Sequence, residues 1–535
     1  MLIEFQTEMA PSLSLDLLRT TEVWVHRCYW NYADLPEGMR DNPALVTARA
    51  QLEAAAVAFR DVVNDLEDFV IYKTLIGYDS VLAPAWQDEA FRYTQPTEYR
   101  AEQIDGFAAS VDEASADLWF DRICRYACTE SADLATFPEF AKFLERIAET
   151  KPGIVLSYVA RIEGPLTRFL PSMVAGLMRS AQRAAARAQI DAWLNAGAHV
   201  GQIAWYLRLA DPFDETLLRR TLDSAIQHGD RVAVRSALIA AASEFADHPG
   251  ALVDTVFLPA LSYLDAAGDF SWLHLPWQTW LRSPIIRALD EEQAGVVLGA
   301  FVRYPRLDNS AEYVVAAIAE RWPARVVAFL GTRQAFSRTD DAPRHYDAVP
   351  YAVHALKDPL ATSPDLMLEG ARAWYDDAPQ FFTYDGGRLL ASVFPDLSGG
   401  FKEQLETLID GGNEQDLAFV LAVLSAFSGR PCIYEIVRKI VAVLAPESPL
   451  VQQVQLALRQ TGVVCGEFGF AELHAERKTL LESWANDPSE QVRTFAAGEI
   501  HFLEQVIAAE QRSAEASIAL RKLQYGEDLD GSVQA

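Results

Sequence analysis

Apolar residues recur at i, i+3, i+4 and i+7 along almost all of this 535-residue chain, broken by short Gly, Pro, Asp and Asn segments. Period-2 runs of β-branched residues are scarce. A helix repeats every 3.6 residues and a strand every two, so the pattern restricts the chain to amphipathic helices joined by tight turns. The predicted fold class is all-α. The stretch NDPSEQVRTFAAGEI, Asn486 to Ile500, illustrates how such helices are written. Asp487 is placed to cap a helix, Pro488 suits a first position that has no N–H to satisfy, and Glu490 can reach back as a capping box. Val492, Ala496, Ile500, Leu503 and Ile507 then form one apolar stripe with Phe495 beside it. Leu473, Leu480, Leu481 and Trp484 supply the facing stripe of the preceding helix.

Comparable units start at Asn413 and Ser448, so the starts at 413, 448 and 487 are spaced by 35 and 39 residues. That falls in the range of helix-pair repeats, about 34 to 47 residues. Looser candidates start at Asn309 and Ser363, and another pair spans Asp214 to Phe245. The gaps of 54 and 50 residues around Ser363 predict irregular repeats or inserted loops. Asp487, Val492, Arg493, Ala496 and Ala497 together resemble a HEAT repeat, whose second helix opens with an Asp-containing turn, a Val-Arg pair and small residues. Val234 and Arg235 form a second, looser match. The resemblance implies an α-solenoid of irregular antiparallel helix pairs with a concave binding surface, and a polar ladder between neighbouring repeats for Asp487 and Arg493.

The expected organisation is a helical, acidic and aromatic-rich N-terminal region over residues 1–150, ending at Lys151-Pro152-Gly153. Helical repeats follow over 151–335, a loop-rich helical segment over 336–400, and HEAT-like repeats over 401–535. The aromatics of the first region, dense in VWVHRCYWNYADLPEGM from Val23 to Met39, are read as core filling.

Lys and Arg number 46 against 75 Asp and Glu, a net charge of −29. Such a surface repels phosphate backbones, which disfavours nucleic acid as a partner and favours a protein with a basic surface. The charge is uneven: residues 1–150 hold 12 basic and 27 acidic residues, residues 151–235 hold 11 and 7. Within the basic segment Arg179, Arg183 and Arg187 recur every four residues, so a continuous helix would line up three guanidinium groups as a binding stripe. The opening MLIEFQTEM lacks a signal-peptide pattern, and the apolar runs are shorter than the ~18 residues of a spanning helix. No membrane association and a cytoplasmic location are expected. Five scattered cysteines fit reduced thiols.

No phosphate-binding Gly-rich loop, nucleophile elbow or His-Glu-x-x-His occurs. No catalytic residue is assigned, and neither a cofactor nor a metal is expected. Cys124 and Cys128 are spaced as half of a soft-metal site but lack an evident second pair, so they are read as buried free thiols. The densest polar segment, Ser337 to Pro359, brings together Asp340, Asp341, His345, Asp347, His354 and Asp358. Carboxylates and imidazoles could share protons or hold a cation there, although Pro343, Pro350 and Pro359 mark a solvated loop. The functional expectation is a noncatalytic protein-binding scaffold. The alternatives are a nucleic-acid-binding protein that uses the arginine stripe, or an accessory or sensor component of a bacterial antiphage system, the Ala- and Arg-rich composition pointing to a GC-rich bacterial coding sequence.

Overall fold

The computed structural model describes residues 2–32, 42–88, 90–91, 96–274, 283–350, 352–427, 429–459 and 464–525. Among them the chain is all-helical and contains no strand. No helix among the described residues is long and apolar enough to cross a membrane. The chain divides into two compact units, Met1–Leu264 and Asp265–Ala535.

In the first unit, alternate helices pack side by side. Pro138–Thr150 lies against Leu170–Arg179, which packs on Val200–Leu207, which packs in turn on Arg231–Glu244. Arg183–Ala196 packs on Glu215–Gln227 as a second row. Two of these helices, Glu215–Gln227 and Arg231–Glu244, have starts capped by a side chain. Asp214 accepts the N–H of Leu217 at 2.8 Å and Asp230 that of Ala233 at 2.9 Å, satisfying donors that the first turn cannot pair. Lys151 lies within this unit and separates Pro138–Thr150 from Pro152–Val159, two helices that pack together.

One glycine sets the closest approach in this row. A Cβ on Gly176 would stand 2.1 Å from the Glu145 carbonyl oxygen and 2.6 Å from the Ala148 Cβ. The neighbour is backbone and cannot swing away. Gly176→Ala is expected to destabilise the protein by about 1–3 kcal/mol despite the better helix propensity of alanine, read by urea unfolding.

The second unit repeats the arrangement. Glu291–Ala300, Pro323–Phe336, Pro364–Asp377, Gly399–Asp410 and Ile433–Val443 each pack on the next, and Ile433–Val443 packs on the 36-residue helix Glu490–Tyr525. Beside them Pro284–Ala288 packs on Asn309–Ala319, which packs on Lys357–Ala361, and Glu414–Ser425 packs on Leu450–Arg459. Asn413 caps its helix by accepting the N–H of Gln415. Asp487 departs from its predicted role. It accepts the N–H of Ser489, whose hydroxyl accepts that of Val492, so the last helix starts at Glu490 and the capping box does not form. Val492, Ala496 and Leu503 are buried as the stripe requires, while Ile500 and Ile507 are half-buried and Leu480 is exposed. The sequence pattern that starts at Ser448 would stop at Gly462, which lies outside the described residues.

Candidate functional site

The helix Leu15–Asn31 begins at Ser14, whose hydroxyl accepts the Leu17 N–H. Its period puts Val23, His26, Arg27, Trp30 and Asn31 on one face, and that face closes over the segment Tyr78–Ala85. A pocket of about 250 Å³ lies between them, walled also by Phe91. Trp30 Nε1 donates to the Ala85 carbonyl at 3.2 Å and to His26 Nε2 at 3.0 Å, and His26 Nε2 itself lies 3.0 Å from that carbonyl. Trp86 stands edge-on to His26 with ring centroids 4.9 Å apart.

Behind Trp86 is a buried ion pair. Lys73 Nζ is 2.6 Å from Glu22 Oε1 with both side chains essentially inaccessible, and Trp86 Nε1 donates to the same oxygen at 3.2 Å. Asn64 Oδ1 accepts a second Lys73 hydrogen at 2.9 Å. Burial pushes the Glu22 carboxyl up and the Lys73 ammonium down, and their mutual attraction opposes both shifts. Glu22 Oε2 has no hydrogen-bond partner among the described residues. The loop that floors the pocket is pinned by the buried Arg100, which donates to the carbonyls of Thr74 and Gly77 at 2.8 and 2.6 Å. Gly77 has φ +81°, and a Cβ there would meet Arg19 Nη1 at 2.6 Å, the nitrogen that pairs with Asp79 at 2.7 Å.

Of the aromatics read as core filling, Trp30 lines this pocket instead. The aromatic stretch was visible, but a helix face of Val, His and Trp is written the same way whether it meets a core or a cavity. Trp24 of that stretch is 43% exposed, which also departs from uniform core filling. Its last residues, 33–39, lie outside the described residues.

The predicted arginine stripe does not lie on one helix. Arg179 ends Leu170–Arg179 and Arg183 begins Arg183–Ala196, with Ser180 turning the chain by accepting the Gln182 N–H. All three guanidinium charges nonetheless oppose the upward shift that burial imposes on the Tyr206 phenol. Arg179 is ion-paired to Glu145, and Arg187 to Asp214 and Asp191. Arg183 has no carboxylate partner among the described residues.

The polar segment after Ser337 is an exposed loop, and Asp340, Asp341, His345, Asp347 and His354 all have exposed side chains. Its anchoring comes from elsewhere. Arg333, fully buried, donates Nε to the Ala348 carbonyl at 2.9 Å and Nη2 to that of Asp347 at 2.5 Å, while Nη1 reaches the carbonyls of Phe301 and Tyr304. Burial lowers its pKa to about 10, so it remains a cation at neutral pH. Glu312, also buried, accepts the N–H groups of His354 and Leu356 at 2.6 and 3.0 Å. Among the described residues no group of three His, Cys, Asp or Glu is placed to hold a metal ion. Cys124 is half-buried and Cys128 exposed, which corrects their reading as buried thiols: Cys128 caps the helix Ala116–Ala127 at its exposed end.

Asp487 Oδ2 is 2.7 Å from Arg438 on the preceding helix pair, whereas Arg493 turns back to the carbonyls of Asp487 and Pro488. Such cross-links recur. Arg179–Glu145, Arg325–Glu291, Arg287–Glu320 and Lys402–Glu435 join residues 34, 34, 33 and 33 positions apart. Arg338–Asp377, Arg459–Glu499 and Arg372–Asp416 join residues 39, 40 and 44 apart. Exposed pairs of this kind contribute only ~0–1 kcal/mol each, so their importance is as markers of register. No family model, curated protein or solved structure matches this chain.

Proposed function

We propose that the chain is a noncatalytic protein-binding scaffold built as an irregular HEAT-like array, whose acidic surface takes a partner with a basic face. One observation carries the reading. Several cations, Arg179, Arg287, Arg325 and Arg372 among them, pair with carboxylates 33 to 44 residues away, beside other pairs 27 to 60 residues apart such as Arg187–Asp214 and Arg19–Asp79. A separation held near one repeat length is what tandem stacking of helix pairs produces, because equivalent positions of neighbouring pairs become spatial neighbours. The same pairing engages much of the basic charge internally, including Arg179 and Arg187 of the basic segment. The excess of 75 acidic over 46 basic residues is then left to the surface, a field that steers basic partners and repels phosphate.

The competing nucleic-acid reading needs the Arg179, Arg183 and Arg187 cluster to be available. Fluorescence anisotropy of a labelled 30-nucleotide DNA, single- and double-stranded, separates the two. The scaffold reading expects no saturable binding up to about 10 μM protein in low salt, where phosphate contacts are strongest. Micromolar binding that is lost in R179A/R183A/R187A would replace it.

A further inference from the structure

We propose that the pocket beneath the Leu15–Asn31 helix is a binding site for a small planar, ring-bearing anion such as an aromatic carboxylate. Its size, about 250 Å³, suits a compound of one or two rings. The rings of Trp30 and Phe91 wall it, and the exposed Tyr78 also lines it, so a flat apolar body gains stacking as well as burial.

The charge at the mouth selects the sign of the ligand. Arg27 is exposed on the lining face and has no carboxylate partner among the described residues, so its fork is available. Asp79, the acid of the lining, is already ion-paired to Arg19 at 2.7 Å. An incoming carboxylate therefore meets a cation with no carboxylate partner among the described residues, whereas an incoming ammonium meets an aspartate already paired to Arg19.

The walls are held in place without a ligand. Trp30 and His26 are fixed to the Ala85 carbonyl, Trp86 to Glu22, and the floor loop to Arg100. A cavity left open by a soft lining would collapse to recover lost contacts; here buried hydrogen bonds oppose collapse. Such pre-organisation lowers the cost of binding.

The test uses the full chain and 1-naphthoate, with 1-naphthamide as neutral and 1-naphthylmethylammonium as cationic comparators, read by saturation-transfer NMR and equilibrium dialysis. One saturable site for 1-naphthoate is expected, with affinity about tenfold lower for 1-naphthamide and about tenfold lower in Arg27→Gln, the loss of one charge-assisted contact. Val23→Trp, which fills the space from the helix face, should abolish binding. R27Q changes an exposed side chain and keeps the test decisive if V23W does not fold by circular dichroism. Absence of saturable 1-naphthoate binding by the wild type to millimolar concentration would overturn the proposal. So would equal affinity in R27Q, or equal affinity for the amide.

Discussion

Arg333→Met is expected to destabilise the second unit by about 4 kcal/mol, visible as a lower urea midpoint with little change in slope. Methionine keeps the apolar stem among its neighbours but removes every donor. The carbonyls of Tyr304, Asp347 and Ala348 would then lose the partner that now reaches them from one fully buried guanidinium, while that of Phe301 keeps the Tyr304 N–H. Each buried unsatisfied acceptor costs about 1–3 kcal/mol, and partial solvation of the loop keeps the total below their sum. Arg333→Lys should recover less than half of the loss, because an ammonium has no planar fork to span two loops. His345→Ala on the exposed loop nearby should stay within about 0.5 kcal/mol of wild type. An R333M variant within 1 kcal/mol of wild type would mean that the 337–350 loop is held by other contacts.

Lys73→Met should cost about 3–5 kcal/mol at pH 7, since it leaves the Glu22 carboxylate buried without its cation. The sign of its pH dependence follows from burial. With the counter-charge gone, desolvation holds the folded pKa of Glu22 above its ordinary value of 4.5, so the folded protein binds more protons than the unfolded chain between those two values. Stability of K73M is therefore greatest below pH 4.5 and falls as pH rises through the folded pKa. The double variant E22M/K73M should regain most of the loss, because an apolar pair of similar volume has no charge to desolvate. Unfolding of both single variants and the double variant at pH 4 and pH 7 checks the coupling. A pH-independent loss in K73M would show that Lys73 acts by packing alone.

Local chemistry was legible wherever it was local. Asp214, Asp230 and Asn413 mark their helix starts with side chains that bond two or three residues on, and the periodic faces of Glu215–Gln227 and Ile433–Val443 are buried as written. The cap near Asp487 moved by two residues because Asp, Pro and Ser in succession offer two competing acceptors, and Ser489 is the one at the turn. The break after Arg179 was hidden for a related reason. Ser-Ala-Gln contains neither Pro nor Gly, and only the hydroxyl of Ser180 reveals the turn.

Long-range partners left no mark in the sequence. Arg333 reads as any helical arginine, since its acceptors are backbone carbonyls 14 to 32 residues away. The pocket joins a helix face ending at Asn31 to a loop beginning at Tyr78, and no periodicity relates the two. Even the predicted polar ladder was legible only as a residue type. Asp487 finds Arg438, 49 residues back, and Arg493 finds the adjacent backbone.

The most direct test of the scaffold reading is capture of the tagged full chain from its native host at low salt, split with and without nuclease, with bound protein and nucleic acid both quantified. A stoichiometric protein partner that survives nuclease and is released as salt rises is expected, because an acidic surface holds it. Nucleic acid as the only stoichiometric companion, or a protein partner retained at any salt concentration, would contradict it.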